Sequence, residues 1–199
     1  YEGFKEKISD PDWAPDFGPS SFNSRMGVTA TGARQILIAY NVNLDTDDKA
    51  KANTIASSIR TSGSLVKDEQ GQKIIGEDGK PLRKPGLFKS LQAAGWMYDE
   101  STAQVSMNLL DFSVTGLHDV TEAIRKEASI IGLNVTAGEL VGLVPLEAML
   151  SAGRFYIDDD SIVDEKAIVQ KAISGLMLGM LDDFEPESSI IEWAIQKVV

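Results

Sequence analysis

The chain of 199 residues contains no cysteine. Disulfides, thiol nucleophiles and thiolate-held metals are therefore excluded from it, and nothing supports an oxidising compartment. It contains one histidine, His118, and a lone imidazole without thiol partners does not build a zinc site. Basic residues are outnumbered: 19 Lys and Arg stand against 30 Asp and Glu, a net charge of −11, with an isoelectric point near 4.5. Phosphate backbones need a basic face, so no nucleic-acid partner is expected, although local cations still permit a small anionic ligand. No apolar run reaches the ~20 residues of a membrane span and no signal peptide is visible, so a cytoplasmic protein without membrane contact is expected.

What is present suits a soluble core. At 43% hydrophobic and 25% charged residues, the chain can bury one core with a small appendage. It opens at Tyr1, without methionine, in what reads as the middle of a short charged helix over residues 1–9. That is the expected look of a piece of a longer protein. Two aromatics, Trp13 and Phe17, stand among Pro15, Gly18 and Pro19 in a segment that cannot continue a helix. This linker is expected to lie against a surface.

Residues 18–44 form the stretch around which the rest is arranged. The loop Gly18-Pro19-Ser20-Ser21-Phe22-Asn23-Ser24-Arg25-Met26-Gly27 passes through Arg34 into a run of Ile, Leu, Tyr and Val over 35–44. Small residues let a ligand approach the backbone, and the run suits a half-buried strand. By its residues alone, such a loop is more often a plain connector than a binding site.

Downstream, Asp45, Thr46 and Asp47 signal a helix start, with Ala52, Ile55, Ala56 and Ile59 on one face. Residues 64–86 are polar, with an Asp78-Gly79 turn between short arms. They read as a protruding hairpin, a solvated insertion rather than a lid. Strands at 88–98 and 102–112 make an antiparallel pair. Thr115 is expected to cap a second helix with Leu117, Val120, Ile124, Ala128 and Ile131 inward, stopped by Gly132. A fourth strand spans 135–144. A short helix at 146–152 ends at Gly153, and helices follow near 163–178 and 187–198. Ile168, Val169, Ala172, Ile173 and Leu176 line the first of these, and Ile190, Ile191, Ala194 and Ile195 the second. Asp158-Asp159-Asp160 lacks the alternating spacing of a calcium loop and reads as a solvated turn. No metal site is expected.

The expected class is α+β: a ferredoxin-like β-α-β-β-α-β sheet with both helices on one face, plus the extra C-terminal helices. In this arrangement the first and third strands are expected to be central, adjacent and parallel. Alternation puts Asn41 and Asn43 on one face, with Gln104, Ser106 and Asn108 beside them, and turns Ile36, Ile38, Tyr40 and Val42 under the helices. Glu139 and Trp96 on the outer strands add an acid and a stacking surface. A face open to water and a ligand-binding face explain these residues equally well. His118, in a helix's first turn, suits a neutral hydrogen-bonding role. Neither a Ser-His-Asp arrangement nor a phosphate loop is legible.

Several stretches resemble one family in order and with matching gaps. Trp13-Ala14-Pro15-Asp16-Phe17-Gly18-Pro19-Ser20-Ser21-Phe22, Gly32-Ala33-Arg34 and Leu37-Ile38-Ala39-Tyr40-Asn41-Val42-Asn43-Leu44 come first. Ala94-Gly95-Trp96, Ala103-Gln104-Val105-Ser106-Met107-Asn108-Leu109-Leu110-Asp111-Phe112 and Leu140-Val141-Gly142-Leu143-Val144-Pro145-Leu146 follow. Together they resemble the glutamate formiminotransferases, including the matching half of formiminotransferase-cyclodeaminase. The segment between 63 and 86 is longer than in that pattern, and Arg25 and Met26 depart from it.

The resemblance implies that residues 1–27 are a linker from a missing N-terminal subdomain and that 28–199 form the C-terminal subdomain. It implies transfer of the formimino group of N-formimino-L-glutamate to the co-substrate tetrahydrofolate in histidine degradation and one-carbon metabolism. The implied folate site is residues 18–27. Arg34, Asn41, Asn43, Trp96, Gln104, Ser106, Asn108 and Glu139 would line a tunnel between subdomains. The catalytic histidine would belong to the absent subdomain, so no catalytic residue is expected here and the chain alone should be inactive. A homodimer is implied for the complete enzyme. The alternative is a non-catalytic folate-binding or protein-interaction module.

Overall fold

The computed structural model describes residues 3–157 and 164–197. The Asp158-Asp159-Asp160 run lies outside the described residues. The chain divides into two units, residues 1–34 and 35–199.

The first unit has little regular structure. One helical turn, α1 (Phe4–Lys7), is followed by a 3-10 turn at Pro11–Trp13. Pro11 sits at the first position of that turn, where its missing N–H costs nothing, and Asp10 accepts from the Asp12 amide at 3.0 Å. Trp13 meets Phe4 edge-on at 6.1 Å, with the Lys7 ammonium 4.4 Å from its ring centroid. Ile8 is buried beside them. Phe17, expected to lie against a surface as Trp13 does, is instead 95% exposed.

The second unit is α+β. Its sheet comprises β1 (Ile38–Leu44), β4 (Leu91–Met97), β5 (Ala103–Leu109) and β6 (Val135–Val141) in the order β4-β5-β1-β6. Between β1 and β4 come α2 (Lys49–Ile59) and a two-residue pair, β2 (Ser64–Leu65) with β3 (Arg83–Lys84). Helix α3 (Leu117–Ile130) joins β5 to β6. After β6 come α4 (Leu146–Phe155), α5 (Glu165–Gly175), α6 (Pro186–Ser189) and α7 (Ile191–Gln196).

Neighbouring strands of the large sheet are all antiparallel. The expectation that the first and third strands run parallel is therefore corrected. The α2 crossover returns β4 parallel to β1 but one position away, and β5 folds back by a hairpin into the gap. A strand entering that way opposes both neighbours. β1 also starts at Ile38 rather than at 35. Its partners end level with it, in the pairs Ile38–Leu109 and Ala39–Val141, so residues 35–37 have no ladder to join. Ile36 is accordingly 49% exposed and not under the helices.

The inner face alternates as the pleat demands. Ile38, Tyr40 and Val42 pack with Val105, Met107 and Leu109 beneath α2 and α3. From α2, Ala52, Ile55, Ala56 and Ile59 are buried at i, i+3, i+4 and i+7, and Asp48 caps the helix by accepting from the Ala50 amide at 2.8 Å. The tip of the 64–86 segment turns between Gly76 and Lys80, whose backbones bond at 2.8 Å.

Several expected boundaries move for local reasons. Gly116, not Thr115, is the N-cap of α3. The Thr115 hydroxyl is already donated to the Lys89 carbonyl at 2.7 Å, and Asp119 reaches back to accept from the Gly116 amide at 2.8 Å. Ile131 lies past the last turn of α3 and is 40% exposed. β6 stops at Val141, and Val144 instead makes a parallel bridge with Ile190. Gly153 does not end α4, which runs on to Phe155. The glycine is buried where α4 and α5 touch, and a β-carbon there would sit 2.1 Å from the Ile168 carbonyl oxygen. The last helix divides at buried Ile190 into α6 and α7, leaving Ile195 58% exposed rather than inward.

Both outer strands have side chains or loops on their free edges. At β4, the Leu91 amide donates to Thr61 Oγ1 at 2.9 Å, Arg60 Nη1 donates to the Ala93 carbonyl at 3.2 Å, and the Gly95 amide reaches Asn53 Oδ1 at 3.4 Å. At β6, the Gly138 amide donates to the Met177 carbonyl at 3.1 Å.

Candidate functional site

The outer face of the sheet is polar because the same alternation that buries Tyr40 turns Asn41 outward. Register aligns the cross-strand rows. Glu139, Asn41, Ser106 and Ala94 lie opposite one another, and so do Ala137, Asn43, Gln104 and Trp96. A third row holds Val141, Ala39, Asn108 and Gln92. Asn41, Asn43, Gln104, Ser106, Asn108, Trp96 and Glu139 thus come together on one surface.

Hydrogen bonds order the middle of that surface. Gln104 Nε2 donates to Asn43 Oδ1 at 2.9 Å and leans toward Glu139 Oε2 at 3.5 Å. Asn41 Nδ2 donates to the same Glu139 oxygen at 2.9 Å. Asn43 and Gln104 are buried, whereas Asn41, Ser106, Asn108 and Glu139 are half-buried. The Trp96 ring is 59% exposed, with Lys49 Nζ 4.9 Å from its centroid. That contact adds a cation the sequence reading missed, because helix-start lysines carry no local signal for stacking. Gln92 was missed too, although counting back by twos from Trp96 reaches it.

The glycine-bracketed loop belongs to the first unit. Asn23 Oδ1 accepts from the amides of Arg25 and Met26 at 2.9 and 3.0 Å, and the Gly27 amide donates to the Asn23 carbonyl at 2.8 Å. Gly27 closes this turn at φ 70°, in the left-handed region that favours glycine. Pro19, Ser21, Asn23, Met26 and Gly27 line an open groove of about 630 Å³ together with Phe4, Ile8 and Trp13. Gly18, Ser20, Phe22, Ser24 and Arg25 are not among its lining residues. Arg34 also belongs to this unit and is exposed, with no hydrogen bond or ion pair among the described residues.

The helix layer carries the other titratable groups of note. His118 stacks on Phe155 at 4.8 Å, its Nε2 lies 3.5 Å from Asp119 Oδ1, and its buried Nδ1 has no hydrogen-bond partner among the described residues. Burial raises the Tyr40 phenol above its ordinary range, and burial with the Glu122 contact does the same for Tyr156. None of these side chains reaches the polar face. Among the described residues, no cluster of three or more His, Asp or Glu is placed to hold a metal. No described helix is long and apolar enough to cross a membrane.

Residues 39–196 match the family model described as the formiminotransferase domain. The chain belongs to the formiminotransferase family. Residues 1–34 match the model described as the N-terminal subdomain of that domain. The formimidoyltransferase-cyclodeaminase of Rattus norvegicus is 42% identical over 198 residues, which is 98% of this chain and 34% of the relative. The glutamate formimidoyltransferase of Streptococcus pyogenes serotype M1 is 36% identical over 176 residues, covering 88% of this chain and 52% of the relative. That of Thermoplasma acidophilum is 34% identical over 171 residues, covering 83% and 49%. The chain therefore spans a third to a half of the length of these relatives.

Proposed function

We propose that this chain is the substrate-positioning part of a glutamate formimidoyltransferase acting in histidine degradation. Its sheet is read as ferredoxin-like, residues 1–27 as the linker from the rest of an N-terminal subdomain, and 28–199 as the C-terminal subdomain. Tetrahydrofolate is the co-substrate, held along residues 18–27. Arg34, Asn41, Asn43, Trp96, Gln104, Ser106, Asn108 and Glu139 line the ligand path. The complete enzyme is read as a cytoplasmic homodimer.

The observation that carries this reading is the ordered amide layer on the two central strands. Amides bonded to one another and to Glu139, on a face opposite the core, form a preorganised polar wall rather than loosely solvated side chains. Family membership supplies the reaction class. In the proposed transfer, a ring nitrogen of tetrahydrofolate attacks the formimino carbon. The new C–N bond forms as the bond from that carbon to the glutamate nitrogen breaks. The ring nitrogen loses its proton and the departing amine gains one, through a base outside this chain. Holding both substrates in contact is this chain's share of the rate.

The complete protein should convert formiminoglutamate and tetrahydrofolate to glutamate and formiminotetrahydrofolate, while the 199-residue chain alone should not. Absence of turnover by the complete protein above a buffer control overturns the reading.

A further inference from the structure

We infer that Glu139 is the residue on this face that binds the cationic amidine carbon–nitrogen group of the donor, and that it sets the preference for a formimino over a formyl donor. The inference rests on the functional reading above and assigns one residue within it.

Three observations lead there. First, Glu139 is the one acid among the outward-facing strand residues of this face, and Asp182, Asp183 and Glu185 line a cavity with it beyond the β6 edge. Second, its two oxygens differ. Oε2 receives Asn41 Nδ2 and lies within reach of Gln104 Nε2, whereas Oε1 accepts no hydrogen bond among the described residues. Third, Gln104 is itself fixed by Asn43 and nearly fully buried at 3% exposure. The amides therefore hold the carboxylate in one orientation and leave one oxygen to a ligand.

Charge selects the ligand chemistry. The carboxylate keeps acceptor capacity on its free oxygen, and a cationic N–H donor gains more from it than a neutral one. A formimino group is an amidine, protonated and planar near neutral pH, with N–H bonds to offer. A formyl group of the same shape is a neutral amide and gains little from the carboxylate.

Two measurements test this. The first titrates the chain with formamidinium chloride, with formamide as the neutral match and sodium chloride as the ionic control. The side-chain amide resonances of Asn41 and Gln104 are followed by NMR. They should shift saturably with formamidinium alone, and the shifts should vanish in Glu139→Gln while its backbone spectrum stays native-like. Glu139→Asp, which keeps the charge but shortens the reach, should retain a weaker response. No shift with formamidinium overturns the inference. Equal shifts with formamide, or shifts that persist in Glu139→Gln, do so as well.

The second measurement uses the complete enzyme. Glu139→Gln should raise KM for formiminoglutamate about tenfold to a hundredfold, the loss of one charge-assisted hydrogen bond, and leave KM for N-formylglutamate nearly unchanged. Equal effects on both donors overturn the inference. Absence of transfer by the unmodified enzyme overturns the functional reading instead, and the formamidinium titration then decides the Glu139 assignment by itself.

Discussion

The Tyr40 hydroxyl lies 2.9 Å from Thr121 Oγ1, joining the central strand β1 to α3 inside the core. Thr121 Oγ1 also bonds the Leu117 carbonyl at 2.8 Å, so the two hydroxyls belong to one buried network. The Leu176 carbonyl, 3.3 Å from the same hydroxyl, brings the chain beyond α5 to this point. Tyr40→Phe removes both contacts of this hydroxyl in a sealed environment. It should lower unfolding free energy by about 1–3 kcal/mol, measured by urea denaturation. Activity per folded molecule of the complete enzyme should not change.

Asn108→Ala should behave in the opposite way. Asn108 sits on the polar face and makes no side-chain hydrogen bond among the described residues. Its removal should alter stability by less than about 0.5 kcal/mol, yet cut kcat/KM of the complete enzyme about tenfold if one ligand hydrogen bond is lost. A large drop in the unfolding midpoint with normal activity would make the residue structural.

Asp45 ties the end of β1 to the start of β6. Its carboxylate accepts from the Asn134 amide at 2.7 Å and from Asn134 Nδ2 at 2.8 Å. These two bonds, the backbone one foremost, hold its carboxyl below the ordinary value of 3.8. A depressed acid stabilises the fold above its unfolded value, and that contribution is lost as pH falls through the lower folded value. Asp45→Asn should therefore reduce stability at neutral pH. It should also flatten the decline of the unfolding midpoint below pH ~4, a difference visible in paired acid titrations by circular dichroism.

Gly153→Ala should be costly despite the single added methyl, because the Ile168 carbonyl stands 2.1 Å from where that methyl would go. Separating α4 from α5 should destabilise by about 1–3 kcal/mol or more. Thermal unfolding measures this.

Asn23→Ala removes the acceptor that folds residues 23–27 into their turn. In the complete enzyme, affinity for 5-formyltetrahydrofolate should weaken about tenfold, measured by calorimetric titration. An unchanged affinity in a well-folded variant removes the loop from the folate site.

Periodicity made much of this architecture readable. Alternation in Tyr40-Asn41-Val42-Asn43 and in Gln104-Val105-Ser106-Met107-Asn108 assigned the inner and outer faces without any knowledge of their partners. What depended on partners was not readable. Strand direction at β5, the start of β1 at Ile38 and the isolation of Val144 follow from what lies alongside. Competing bonds misled at Thr115, whose hydroxyl fits a cap but is drawn to Lys89. At Gly153 a helix-ending residue type proved to be a contact point between helices. In the site, alternation located the polar side chains. Only register revealed that Gln104 faces Asn43 while Asn41 and Gln104 meet at one oxygen of Glu139, and only tertiary packing set Lys49 over Trp96.

The bonds from Thr61, Arg60 and Asn53 to β4, and from Met177 to β6, bear on how copies of this protein can meet. A free strand border is a template: another chain can lie along it and continue the ladder, as in strand-donation complexes and fibrils. Here an incoming strand would first have to displace a threonine hydroxyl, a guanidinium and an asparagine on one border, and a carbonyl on the other. Lateral recruitment of a β-strand is thereby obstructed at both ends of the sheet.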